Sequence, residues 1–250
     1  MAEDAATRLY IAQPLTQGAV VTLDSAQAHR LRHVLRLGAG AVVAAFNERE
    51  GEWLCRLAEE GRRGAALIPE RQRKIAEPEP DLWLLFAPIK RARLDWLIEK
   101  ATELGAAALV PVWTARTQSE RLNPERLRTI ATATAEQSER LSIPEVRAPE
   151  RLDKVIATWA AERRLVVCDE TGGGMPIIDA LRGFEVEQPA ALLIGPEGGF
   201  TDAELDALSK LPIVTRVGLG PRVLRAETAA VAALAVFQAM AGDWRRARPR

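Results

Sequence analysis

Two glycine-proline stretches hold the residues whose types and spacing point to chemistry. They are Leu192-Leu-Ile-Gly-Pro-Glu-Gly-Gly-Phe-Thr-Asp-Ala-Glu204 and Val217-Gly-Leu-Gly-Pro-Arg-Val-Leu-Arg-Ala-Glu-Thr-Ala-Ala230. In each, an apolar run reads as a buried strand that breaks at glycine into a loop and continues as a helix. Loops at strand ends of an open α/β sheet line ligand clefts, so the pair predicts two walls of one cofactor site. Neither stretch has the G-x-G-x-x-G spacing of a dinucleotide loop or the Gly-Lys-Ser/Thr of a Walker loop. Nicotinamide and ATP chemistry are therefore disfavoured.

The bulk properties narrow the class further. The chain has 250 residues and is 48% hydrophobic, enough for a true core in one large or two modest domains. Thirty-four basic residues balance 34 acidic ones, which argues against a uniformly basic nucleic-acid coat while leaving room for local patches. The only lysines are Lys74, Lys90, Lys100, Lys154 and Lys210, so arginine, the better match to phosphate, carries most of the positive charge. Cys55, Cys168, His29 and His33 have no zinc-ligand spacing, and no metal is expected. Unpaired cysteines suit a reducing cytoplasm. The acidic start Met-Ala-Glu-Asp lacks an apolar run, and no signal peptide is expected. The longest apolar stretch, Thr228 to Ala241, is too short to span a bilayer, and no membrane association is expected.

Elements that must position the loops follow from periodicity. Strands are predicted over 18–23, 41–47, 51–58 and 64–68. A helix is predicted from Ser25, as N-cap, to a stop at Gly38, with Leu31, Val34 and Leu35 on one face and His29, Arg30, Arg32, His33 and Arg36 on the rest. That basic face could meet phosphate. Arg62 and Arg63 fall in a predicted hairpin turn. The charged, proline-bearing stretch from Arg71 to Asp81 reads as a boundary. Beyond it strands (82–87, 107–113, 165–168, 190–194, 213–217) alternate with helices (91–104, 123–139, 152–161, 202–210, 225–242), which predicts a mostly parallel sheet with helices on both faces. The division expected is 1–73, a β-rich domain; 74–81, a linker; and 82–250, an α/β domain. The tail Trp244–Arg250 either adds phosphate contacts or stays disordered.

Four segments together resemble the RsmE-type 16S ribosomal RNA uridine-N3 methyltransferases of the SPOUT superfamily, over nearly the whole chain. They are Arg8-Leu-Tyr10 with His29 to Leu37; Lys90 to Gly105 with Val110-Pro-Val112 and Arg116; Ala135-Glu-Gln-Ser-Glu-Arg140; and the two glycine loops. Thr114-Ala-Arg116 keeps the family's arginine but has Ala115 where a glutamate is common. The resemblance implies a PUA-like RNA-binding β-barrel domain followed by a SPOUT domain with a trefoil-knotted parallel sheet. It also implies S-adenosylmethionine as methyl donor, a homodimer, and 16S ribosomal RNA of the small ribosomal subunit as partner. By the same resemblance Ile194, Gly195, Pro196, Glu197, Gly198, Leu219, Gly220, Val223 and Leu224 would hold the cofactor. Arg8, His29, Arg30, Arg32, Arg36 and Arg116 would bind RNA.

Methylating uracil N3 requires loss of its proton, helped by a base or by a cation that stabilises the anion. Arg225, Glu227, Glu136 and Arg140 are the candidates, with Gln137, Arg116 and Arg8 behind them. Either glutamate is a possible proton acceptor, and the residues leave the choice open. Arg225-Ala-Glu-Thr228 reads equally well as a helix cap with Thr228 bonding backbone. Two alternatives accompany this reading: a non-catalytic RNA-binding or ribosome-assembly protein, and a SPOUT methyltransferase acting on tRNA or on a ribose 2'-hydroxyl.

Overall fold

Apolar, β-branched runs in the amino-terminal third fold as strands because one pleat face of each can be buried. A computed structural model describes residues 4–60, 64–118, 121–185 and 188–245. The chain forms two units, Met1–Pro78 with Ala135–Ile143, and Glu79–Thr134 with Pro144–Arg250.

The first unit contains β1 (Arg8–Tyr10), β2 (Val21–Thr22), α1 (Ser25–His29), β3 (Val42–Asn47), β4 (Gly51–Glu60) and β5 (Gly64–Lys74). They make a five-stranded curled sheet in the order β1-β3-β4-β5-β2, in which β1 runs parallel to β3 and the other ladders are antiparallel. Its core gathers Leu9, Ile11, Leu15, Leu31, Val43, Cys55, Leu57 and Leu67. Strand β5 continues to Lys74, through the first residues of the expected boundary, and β2 is only two residues long. Arg62 and Arg63 lie outside the described residues.

The basic helix differs from expectation in three ways. Its N-cap is Asp24, whose carboxylate accepts from Gln27 N in a capping box, rather than Ser25. After His29 the chain widens into a π-helical turn, Arg30–Val34. Arg36 then ends it with φ +55°, ahead of Gly38. The wider turn rotates the stripe: Leu31 is fully buried, but Val34 is 63% and Leu35 40% exposed.

One ion-pair network organises this unit. Glu52, with a fully buried side chain, lies between Arg8 Nε at 2.6 Å and Arg73 Nε at 3.0 Å. The Arg8 guanidinium stacks on the Phe46 ring, 4.1 Å from its centroid. Its remaining nitrogens donate to the carbonyls of Ala135 and Glu136, both 2.8 Å, and of Arg140, 3.1 Å. These carbonyls lie at and beyond a helix C-terminus, where the final turn has no intrahelical donors. Arg8 supplies them, which holds the 135–143 segment in this unit.

The second unit contains β6 (Leu82–Phe86), α2 (Arg91–Glu103), β7 (Ala108–Trp113), α3 (Pro124–Gln137), β8 (Glu145–Val146), β9 (Glu150–Arg151), α4 (Leu152–Ala157), β10 (Arg164–Cys168), β11 (Met175–Pro176), α5 (Ile177–Leu181), β12 (Ala190–Ile194), α6 (Asp202–Ser209), β13 (Val214–Gly218) and α7 (Ala226–Met240). The last turn of α3, from Ala135, is counted in the first unit. The strand order is β11-β13-β10-β12-β6-β7-β8, with β9 paired to the end of β7, and every ladder is parallel.

Strands covered on both faces need apolar residues at every position. All five residues of β12, Ala-Ala-Leu-Leu-Ile, are buried, and each large one contributes roughly 1.5–3 kcal/mol relative to exposure. One face of the sheet, with Leu85, Val110, Leu165, Val167 and Leu193, packs on α4 and α6 through Val155, Ile156, Leu205 and Leu208. Helix α7 packs on β12, α2 and α5 and covers the opposite face. Helix α4 ends at Ala157, short of the expected Ala161, and α6 is closed by a Thr201–Glu204 capping box. The strands β1, β8, β9 and β11 were not expected; all four are two or three residues long. Among the described residues no helix is long and apolar enough to cross a membrane. Residues 246–250 of the tail lie outside the described residues, and Asp243–Arg245 forms a 3-10 turn.

Replacing Arg8 by alanine leaves buried Glu52 with Arg73 alone and removes three carbonyl contacts. Breaking a buried pair in this way costs about 3–5 kcal/mol, so urea denaturation of Arg8→Ala should show a loss of that order. A loss below about 1 kcal/mol would mean that Arg73 suffices for Glu52.

Candidate cofactor site at three strand ends

The strands β12, β10 and β13 are neighbours, with Cys168 opposite both Ile194 and Val217. Their carboxyl ends therefore release three loops at one end of the sheet: 169–174, 195–201 and 219–225. Strands lie about 4.8 Å apart, so the outer two loops leave the sheet about 10 Å from each other. Those two are the stretches singled out in the sequence. The loop between them, Asp169-Glu-Thr-Gly-Gly-Gly174, was missed, although three glycines stand a few residues after a buried apolar strand.

The glycines of these loops are not alike. A Cβ on Gly195 would lie 3.0 Å from the Phe200 ring, and one on Gly174 would lie 2.6 Å from the backbone of Val217. Both are small because protein packs against them. Gly220 has φ +101°, a conformation that L side chains rarely adopt, and nothing stands within 4 Å of its ideal Cβ position. The backbone N–H groups of Gly220, Arg222, Val223 and Leu224 bond to no acceptor among the described residues. The 219–225 loop thus presents free amide donors around an open, side-chain-free point. That arrangement fits a ligand read by backbone hydrogen bonds, such as the adenosine of S-adenosylmethionine.

The other carried-over cofactor residues divide by burial. Ile194, Gly195 and Pro196 are buried, Leu219 and Leu224 half-buried, and Glu197, Gly198 and Gly220 exposed. Val223 is 82% exposed, an unusual position for a branched apolar side chain beside free amides. Surface depressions of about 210 Å³ and 540 Å³ occur elsewhere, one lined by Arg32, His33 and Leu57 and the other by Glu162, Arg164 and Gln188. Neither touches the strand-end loops, whose donors and glycine geometry carry more chemical information than concavity alone.

The loops are fastened by side chains. Arg116 donates to the carbonyls of Gly198, 2.9 Å, and Phe200, 3.1 Å, so its guanidinium straps the 195–201 loop in this structure. Glu204 accepts from Ala115 N at 2.8 Å, at the position where the resemblance led one to expect a glutamate. Asp169, 5% exposed, accepts from Arg216 through Nη2 at 2.6 Å and Nε at 3.1 Å, and from the amide and hydroxyl of Thr171. Burial acts to raise its pKa, but the Thr171 and Arg216 contacts outweigh it and hold the carboxyl below the usual range. Burial pushes the Cys168 thiol up to about 12, so it remains protonated and is a poor nucleophile.

Among the catalytic candidates, Arg225 is the N-cap of α7 and makes no side-chain cap hydrogen bond. The expected Thr228 cap does not form; Thr228 is exposed. Glu227 lies in the first turn of α7, its side chain 12% exposed, with Oε1 3.6 Å from Arg93 Nε. Its Oε2 is buried and has no hydrogen-bond partner among the described residues. Glu136 and Arg140 lie in the other unit. Glu136 is saturated there, accepting from Tyr10 N at 3.2 Å and from Arg30 Nη1 at 2.5 Å. Arg140 Nε donates to Ser142 Oγ.

Most of the RNA-binding candidates also have protein partners. Arg8 is consumed by the Glu52 network and Arg30 by Glu136. Arg32 donates to the Gly64 carbonyl and pairs with Glu59 at 3.5 Å. His29 and His33 are exposed, their rings 5.1 Å apart, and Arg36 is exposed.

Comparison with known proteins identifies the family and the fold. An RNA methyltransferase domain family matches residues 77–238, and an RNA methyltransferase PUA domain family matches residues 23–70. Curated relatives called ribosomal RNA small subunit methyltransferase E include that of Synechocystis, 34% identical over 94% of this chain and 78% of its own. The protein of that name from Rickettsia conorii is 30% identical over 91% and 93% of the two chains. A Legionella pneumophila methyltransferase solved with bound S-adenosylmethionine superposes with TM-score 0.81 at 29% identity, covering 95% of this chain and 98% of that one. The Neisseria gonorrhoeae ribosomal RNA small subunit methyltransferase E has the same fold, with TM-score 0.83 at 24% identity over 95% and 99% of the two chains. A carboxyl-terminal parallel sheet with glycine loops at its strand ends, an amino-terminal curled sheet and full-length relatives agree: the chain belongs to the RNA methyltransferase family that includes ribosomal RNA small subunit methyltransferase E.

Proposed function

We propose that the protein methylates N3 of a uridine in 16S ribosomal RNA, using S-adenosylmethionine, in the cytoplasm. The observation that carries this reading is the 219–225 loop, with its free amides around the open Gly220, across the 169–174 loop from the 195–201 loop. When bound, the cofactor supplies an electrophilic methyl group on a cationic sulfonium. The backbone of Ile194 to Gly198 and of Leu219 to Leu224 would hold it, with no charged side chain needed to select adenine.

The remaining chemistry belongs to the chain. Uracil N3 is protonated at neutral pH, and an arginine has no basic lone pair available. Glu227 is the better proton acceptor of the two glutamates, because one of its oxygens is buried without a partner while Glu136 has both oxygens bonded. Arg225, exposed at the start of the same helix, would stabilise negative charge developing on a uracil oxygen. In the first unit, His29, His33 and Arg36 are exposed and suit phosphate contact. Arg116, although it straps a loop here, keeps an exposed side of the cofactor edge positively charged.

Residues 1–73 are read as the RNA-binding domain and 82–250 as the methyltransferase domain, joined through 74–81. The family likeness further implies a trefoil knot, an exception to the usual unthreaded path. The return of α7 over β12, after the chain has crossed to β13, supports it. It implies a homodimer as well. Val231, Ala232, Ala235 and Val236 of α7 are only half-buried, an apolar strip that a second copy would cover.

Incubated with labelled S-adenosylmethionine and small subunits lacking the modification, the protein should label 16S ribosomal RNA, and nucleoside mapping should return N3-methyluridine. Label in tRNA, on a ribose, or in no RNA would reject the assignment. A side chain at Gly220 would strain the backbone, whereas a Cβ on Gly218 meets only Gly174 O at 3.7 Å. Gly218→Val should therefore raise KM for the cofactor about tenfold or more by crowding with little change in Tm; an unchanged KM would remove that wall from the site. Glu227→Gln should lower kcat by about 100-fold or more while cofactor affinity measured by calorimetry stays the same. Activity near that of the unaltered enzyme would show that Glu227 takes no proton.

A further inference from the structure

We propose that Glu170 is a positioning residue for the cofactor loops, acting from the central strand end on the loop of its neighbour; this rests on the reading of those loops as the cofactor site. Asp169 and Glu170 follow β10 directly, where the chain enters a turn that sends their side chains to different neighbours. Asp169 turns to β13, where it grips Arg216. Glu170 turns the other way, and its Oε1 accepts from Phe200 N at 3.2 Å. Two adjacent carboxylates thus tie the middle loop to β13 on one side and to the loop that follows β12 on the other.

The second glycine of Gly198-Gly199 shows how closely this contact is built. An ideal Cβ on Gly199 would fall 1.8 Å from Glu170 Oε1, and Gly199 has φ +67°. The absence of a side chain there makes room for the Glu170 carboxylate, not for a ligand. The effect passes along the loop. The amide of Phe200 is held by Glu170, its carbonyl by Arg116, and its ring, 2% exposed, packs against Gly195. Glu170 and Arg116, both exposed, therefore hold from two sides the backbone whose free edge, Glu197 and Gly198, is left exposed. Removing the carboxylate frees the 199–200 peptide, and the ligand would then have to supply the ordering of the loop.

The test compares Glu170→Ala, Glu170→Gln and Gly199→Ala with the unaltered chain, by calorimetric titration with S-adenosylmethionine and by KM and kcat for methyl transfer. Glu170→Ala should raise both Kd and KM for the cofactor about fivefold, the order expected for losing one hydrogen bond that orders the loop, with kcat at saturation within about twofold. Glu170→Gln keeps an acceptor oxygen and should restore affinity to within about twofold. Gly199→Ala, which both displaces the carboxylate and strains a backbone at φ +67°, should weaken binding at least as much as Glu170→Ala. Unchanged affinity in Glu170→Ala would overturn the role of Glu170, as would a Gln variant as weak as the Ala variant. Absence of binding by the unaltered chain is a separate result, and would overturn the cofactor reading itself.

Discussion

The parallel register that places Cys168 opposite both Ile194 and Val217 is the constraint on which the candidate site depends. Strands of a parallel sheet end at the same level only if their ladders are in step, and the steps here are enforced by burial. A one-residue slip of β12 would exchange Leu193 for Leu192 on the face that meets α6 and break the side-chain order on both faces at once. Loop geometry is thus inherited from core packing. The loops themselves have few apolar anchors and rely on Asp169, Glu170, Arg116 and Arg216, charged side chains that reach from one strand end to the next.

A different kind of constraint governs the amino-terminal unit. Its sheet cannot bury Glu52 without neutralising it, and the cost of an unpaired buried charge is large. Arg8 and Arg73 answer that charge, and Arg8 then has donors left over. Those donors reach the carbonyls at the end of α3, so the requirement of one buried carboxylate also captures the 135–143 segment. The same economy appears at the amino ends of the other sheet, where Arg163 forks onto Asp81 and, with Arg147, sandwiches the Trp83 ring at 3.7 Å on each side. Arginine is abundant in this chain, but much of it serves inside the fold.

That use of arginine explains where sequence reading succeeded and where it stopped. The parallel sheet was legible because Leu82 to Phe86 and Ala190 to Ile194 are apolar at every position, and alternation with helical runs leaves few topologies. The glycine loops were legible because glycine and proline punctuate buried strands. The basic helix was misread at its edges because π-helical widening leaves no mark in a 3.6-residue pattern. Arg8 and Arg30 looked like phosphate ligands because their partners, Glu52 and Glu136, stand 44 and 106 residues away. Glu170 was invisible for the same reason: its meaning depends on Phe200, which only sheet order brings near.

The glycines sharpen this point. In a sequence, Gly195, Gly198, Gly199, Gly218 and Gly220 look interchangeable, each permitting close approach of backbone to something. In the structure the something differs. For Gly195 it is the Phe200 ring, for Gly199 the Glu170 carboxylate, and for Gly198 the Arg116 side chain, whose Cβ would lie 3.4 Å from an added methyl group. Of the five, only Gly220 has nothing within 4 Å of its ideal Cβ position. At Gly195 and Gly199 the glycines of the first loop therefore record how the loop is held, while Gly220 in the second leaves its backbone open. A residue type required by packing and one required by binding give the same letter, and the neighbouring atoms decide between them.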